Sequence, residues 1–211
     1  MRLEKLPEQI RLIGPHWVFE FQRVADRWQH TVLWKQGPEF LPVLQSAEGT
    51  PTGEHLPSPA FQDLLLEPLA GDDCEFQVMG QSGQGIYTAA IRYDATDGAL
   101  DFDVCARGKK GLESLCLTST YLLPREQRAP ISVEPEESVV ALPERNLTLK
   151  LAPVPIAGVP VAKCRRVTEA GQAGLAIGHF ATAEIGGGSR QISVRWRYRL
   201  SVLSGPLISA D

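Results

Sequence analysis

This chain of 211 residues lacks any uninterrupted apolar run approaching the ~18–20 residues that a membrane-spanning helix needs, so no helical span is expected. Charges and a proline in Met1-Arg2-Leu3-Glu4-Lys5-Leu6-Pro7-Glu8 fill the place where a secretory leader carries its apolar stretch. The expectation is a cytoplasmic protein with mostly reduced thiols. Cysteines are few, at positions 74, 105, 116 and 164, and form no CxxC pair. None of the four histidines (16, 30, 55, 179) has a second imidazole at the spacing that places two on one metal ion. Neither a metal site nor a cofactor is expected.

Catalytic and nucleotide motifs are also missing. Gly80-Gln81-Ser82-Gly83-Gln84-Gly85 has no following Lys-Ser/Thr and leads into a strand pattern, so a hairpin loop is expected rather than a phosphate cradle. Gly171-Gln172-Ala173-Gly174 with Gly178-His179 lacks the dinucleotide fingerprint. Serine-hydrolase, zinc-protease and deaminase signatures are absent. An enzyme is disfavoured on these grounds, although a site assembled in space, for example from Asp101, Asp103, Cys105 and Arg107 projecting together, would leave no such motif. There is no strand-helix-strand rhythm, no internal repeat and no heptad pattern.

What is present is alternation. Leu100, Phe102, Val104 and Ala106 share one face of a strand, and Asp101, Asp103, Cys105 and Arg107 share the other. Upstream, Tyr87, Ala89, Ile91 and Tyr93 form a matching apolar set. A four-residue turn over Ala95 to Gly98 sets Tyr93 against Leu100, Ile91 against Phe102, Ala89 against Val104 and Arg92 against Asp101. A one-residue slip would turn both apolar sets to water. A second tight turn at Lys110-Gly111 is expected to set Ala106 against Leu115 and Val104 against Leu117. That register makes Cys105 and Cys116 cross-strand neighbours, a candidate thiol pair with Cβ atoms ~4.5–5.5 Å apart.

Elsewhere, Trp17 to Val24 and Trp28 to Trp34 read as a hairpin, and Ile131 to Val133, Ser138 to Leu142 and Leu147 to Leu151 as short strands. Residues 1–14 read as an N-terminal arm or short helix, 46–59 as a proline-rich loop, 153–160 as a proline-rich edge or linker, and 170–189 as a glycine-rich loop. Ser58-Pro59 offers a cap and first-turn proline for a short helix from Ala60 to Glu67. The longest alternation places Ile192, Val194, Trp196, Tyr198, Leu200 and Val202 on one face, with Ser193, Arg195, Arg197, Arg199 and Ser201 on the other. The fold expected is therefore a single all-β antiparallel domain over 1–211, a β-barrel or β-sandwich built on meanders, with one or two short helices.

Charge is unevenly spread beneath the net −4. Residues 63–103 hold nine acids and one arginine, whereas residues 163–199 hold seven basic residues and two acids. Such a split marks either a nucleic-acid face or two parts of one fold that attract each other. A pI of about 5.6 speaks against nucleic acid. So does the placement of Trp196 and Tyr198 on the face opposite Arg195, Arg197 and Arg199, which leaves no stacking platform beside the arginines. The arginines are expected to pair with neighbouring acids such as Asp101 and Asp103, or to form an interaction face for an acidic partner or a second copy.

The inward aromatics Tyr87, Tyr93, Phe102, Tyr121, Trp196 and Tyr198 are candidate ligand-binding residues if the sheet encloses a pocket, and core if it does not. The leading functional expectation is a non-enzymatic protein that binds a small, largely apolar ligand in a barrel or cleft. A homo-oligomeric or interaction protein using sheet edges is the alternative.

Overall fold

The structure, a computed structural model, describes residues 2–47, 58–69, 73–82, 85–108, 115–125, 130–169, 171–180 and 192–204. In chain order the strands are β1 (Arg2–Leu6), β2 (Gln9–Ile13), β3 (Trp17–Val24), β4 (Arg27–Gln36), β5 (Glu39–Ser46), β6 (Asp63–Pro68), β7 (Cys74–Ser82) and β8 (Gly85–Asp94). They continue with β9 (Ala99–Gly108), β10 (Thr118–Leu122), β11 (Ile131–Glu134), β12 (Glu137–Leu142), β13 (Leu147–Pro153), β14 (Lys163–Glu169), β15 (Gln172–Gly178) and β16 (Ile192–Ser204).

Two antiparallel sheets of eight strands result, in the orders β1-β2-β3-β4-β5-β10-β15-β14 and β11-β12-β13-β16-β9-β8-β7-β6. Neither closes on itself, so the architecture is a sandwich rather than a barrel. Aromatic contacts bridge the layers: Phe19 meets Phe102, Phe21 meets Phe76, and Trp17 meets Tyr93. Among the described residues, backbone hydrogen bonds join the layers from Cys164 N–H to Pro135 O (2.8 Å) and from Trp28 N–H to Phe61 O (2.7 Å).

The alternating segments form as their patterns dictate. β8 and β9 pair in the expected register, Tyr93 opposite Leu100 and Arg92 opposite Asp101, with Asp94 closing the turn by accepting hydrogen bonds from the Thr96 and Asp97 amides. Val194, Trp196, Tyr198 and Leu200 of β16 are buried, and Val202 is partly so. Ser82 opposite Gly85 closes a hairpin around the glycine-rich segment, in place of a phosphate loop.

Four expectations are corrected. Residues 2–13 form the β1–β2 hairpin rather than a helix, because Pro7-Glu8 turns the chain back and Leu3 pairs with Leu12. The segment from Ala60 to Glu67 is also not helical. Ser58 Oγ is engaged by Thr120, accepting from its amide at 2.8 Å and donating to its carbonyl at 2.9 Å, so it caps no helix, and β6 pairs with β7 along its whole length. The helical content among the described residues is a 3-10 turn at Pro143–Arg145. Within the glycine-rich stretch, 172–178 is β15, paired with β10 and β14. There the glycines serve close packing: a Cβ on Gly174 would lie 2.4 Å from Tyr121 O. Residues 181–189 and most of the 46–59 loop lie outside the described residues.

The fourth correction is topological. The second neighbour of β9 is β16, with Cys105 opposite Arg195 and Val104 opposite Trp196, whereas β10 joins the other sheet between β5 and β15. The apolar face of β9 fits either strand, and the two-residue alternation says only which side is buried. Lys110-Gly111 lies outside the described residues.

Candidate functional site

The six inward aromatics come together in the interior. Tyr87, Tyr93, Phe102, Tyr121, Trp196 and Tyr198 are all buried, and Phe102 stacks on Tyr198 with ring centroids 4.6 Å apart. Their polar atoms are used within the core, as burial requires. Tyr121 OH lies 2.7 Å from Tyr198 OH and 2.9 Å from His30 Nε2. Trp196 Nε1 donates to Ser119 Oγ (3.1 Å), and Tyr87 OH accepts from the Cys116 amide (2.9 Å). Burial pushes the Tyr87 phenol up to about 12 and the His30 imidazole down to about 3. These aromatics pack against Phe19, Phe21 and His30 as parts of one core cluster.

The other face of β16 meets the acids of β9. Arg195 holds Asp103 with both arms of its guanidinium, Nε to Oδ1 at 2.7 Å and Nη2 to Oδ2 at 2.5 Å. Arg199 holds Asp101 in the same way at 2.9 and 2.8 Å and reaches Asp97 at 2.8 Å. Arg197 stands 3.9 Å from Asp103. Hydrogen bonding to these carboxylates, foremost Asp103 for Arg195 and Asp101 for Arg199, raises the pKa of both guanidiniums. The acidic and basic segments of the sequence thus attract each other across one sheet.

Cys105 and Cys116 are not neighbours. Cys105 projects from the outer face, 3.5 Å from Ser193 Oγ, whereas Cys116 is buried on the inner side beside Tyr87. Cys74, Cys116 and Cys164 are buried, and burial, the leading cause in each case, raises their pKa values, Cys74 to about 11. In the native state an aromatic disulfide reagent should therefore modify one thiol, Cys105, rapidly, with all four reacting after unfolding. Fast release of two equivalents from the native protein, or a Cys105–Cys116 disulfide in a peptide map, would contradict this placement.

A groove of about 630 Å3 lies on the outer face of the second sheet, above β6 to β9 and β16. Register explains it. Asp63, Met79, Thr88, Cys105 and Arg195 lie in one row across the strands, and Leu65, Gln77, Ala90, Asp103 and Arg197 in the next. Thr88 and Ala90 are short, so β8 forms a trough between longer side chains on both sides. One wall is apolar, with Leu65 57% and Met79 52% exposed. The other carries the Asp103–Arg195 pair, Cys105 and Arg107.

No family model, curated protein or solved structure matches this chain.

Asp103, Cys105, Arg107 and Arg195 were legible in the sequence as outward residues, whereas Met79, Thr88 and Ala90 were not singled out and Leu65 was expected on the shared face of a short helix with Phe61 and Leu64. Their signal was present: a run of three leucines on a strand must turn at least one outward, and Thr88 and Ala90 are the small outward residues of a hairpin whose neighbours are Met79 and Asp103. No cluster of metal-ligating side chains occurs among the described residues, and no helix there is long and apolar enough to cross a membrane.

Proposed function

We propose that this chain is a non-enzymatic binding protein and that its ligand, a small amphipathic molecule, lies in the outer-face groove along β8 rather than among the interior aromatics. The observation that carries this reading is the trough itself: solvent-open space of about 630 Å3 with exposed Leu65 and Met79 on one side and charged groups on the other. Ligand sites are concave, with apolar surface and a few placed polar groups. The six aromatics, by contrast, fill one another's space and satisfy their hydroxyls internally.

Native mass spectrometry of gently purified protein tests this. The expected result is a 23.1 kDa monomer carrying a small molecule, with the added mass lost in an Ala90→Phe variant whose ring fills the trough. Equal added mass on both proteins would place the ligand elsewhere.

A second reading, self-association, is favoured by β1. This strand is an edge of the first sheet, with Leu3 41% and Leu6 53% exposed, and an uncovered edge is a template for another strand. A doubled mass in the same spectrum would support it. The β16 arginines contribute less to such an interface, since Arg195 and Arg199 are already bound by Asp103 and Asp101.

A further inference from the structure

We infer that the groove is selective for an amphiphile bearing a single carboxylate, with its head on Arg107 and its apolar body across Ala90, Met79 and Leu65. This rests on the groove being the binding site. The charges lining it are Asp63, Asp103, Arg107 and Arg195. Asp103 and Arg195 neutralise each other through two parallel hydrogen bonds, so neither has a free charge to offer. Arg107 differs: it is exposed, and no carboxylate among the described residues pairs with it. Its guanidinium fork matches the two oxygens of a carboxylate.

Position fixes the orientation. Arg107 stands opposite Ile86 at one end of the trough, one row beyond Thr88. Met79 and Leu65 lie two and three strands away, about 5 Å per strand, so a medium-length alkyl chain reaches Met79 and points toward Leu65. Asp63, beside Met79 on the far wall, repels an anionic head from that side and so favours one direction of binding. A single negative charge suits the site better than a phosphomonoester, whose second charge Asp63 on the far wall would repel.

The test compares octanoate with 1-octanol, which share a chain length and differ in the head. Each is titrated into the full-length protein while amide resonances are followed by two-dimensional NMR. Both ligands are expected to shift Thr88 and Ala90, with octanoate binding about tenfold more tightly, a difference of about 1.4 kcal/mol. Arg107→Gln is expected to erase that difference and to leave octanol binding unchanged, which also shows that the variant is folded. Equal affinities for the two ligands, or an Arg107→Gln protein that still prefers octanoate, would overturn the carboxylate assignment while leaving the groove in place. Absence of shifts at Thr88 and Ala90 with both ligands would overturn the groove reading and this inference with it.

Discussion

Stability should fall by about 1.4 kcal/mol per pH unit as the solution is acidified below pH 6.5, through the protonation of a single side chain, His30. The imidazole is buried between the sheets, with Phe19, Phe21, Phe102 and Tyr121 around it and Tyr121 OH at 2.9 Å from Nε2. Desolvation lowers its pKa from 6.5 to about 3. Between those two values the unfolded chain binds a proton that the folded chain refuses, so acid favours unfolding. The stabilisation is complete above pH 6.5 and is lost progressively as pH falls toward 3. Urea unfolding at pH 7.0, 6.0, 5.0 and 4.5 measures the slope, and His30→Gln should flatten it by about one proton's worth. Parallel pH profiles for the two proteins would show that His30 is not the group responsible.

The second large effect is expected at Gly178. A methyl group there would lie 2.2 Å from Leu117 O and 2.7 Å from Thr118 Cα, and the backbone has φ +153°. Both obstacles are backbone atoms at the start of β10, which pairs with the end of β15. Relief requires β10 to move away from β15. Gly178→Ala should cost about 2–4 kcal/mol, the sum of overpacking and an unfavourable backbone conformation. Gly98 provides the contrast: its φ is +63° but nothing lies within 4 Å of the added atom, so Gly98→Ala should cost only about 1 kcal/mol. Chemical denaturation of the two variants measures both costs, and equal losses would contradict the packing argument.

These same glycines show where the sequence stops being informative. Gly174 and Gly178 belong to a glycine-rich stretch whose composition reads as loop, yet they are needed because the β10 side crowds β15 at both positions, with Val167 of β14 also close at Gly174. That demand comes chiefly from β10, a strand distant in the chain. Ser58 is a similar case, since its hydroxyl looks like a helix cap locally but serves Thr120, 62 residues away. Alternation, in contrast, is local and was legible: it identified the buried faces of β8, β9 and β16 and, with the turn over Ala95 to Gly98, the β8–β9 register. It could not choose the neighbour of β9, because the nearby Leu115 and Leu117 offer apolar partners as good in pattern as Val194 and Trp196, and a short loop favours the nearer segment.

For the groove, the charged wall was readable as the outward set Asp103, Cys105 and Arg107, and the mutual attraction of the acidic and basic segments is realised in the Asp103–Arg195 and Asp101–Arg199 pairs. The trough was not, because a concavity depends on which short side chains lie between which long ones. Thr88 and Ala90 acquire meaning only when β7 and β9 stand beside them.

The most direct measurement of the central claim is the ligand-dependent shift in melting temperature of the natural protein and of Ala90→Phe, both titrated with octanoate. Anything that binds only the folded state raises its melting temperature. The account predicts a rise that grows with concentration in the natural protein and is lost in Ala90→Phe. A rise of equal size in both proteins, or no rise in either, would contradict the outer-face groove as the binding site.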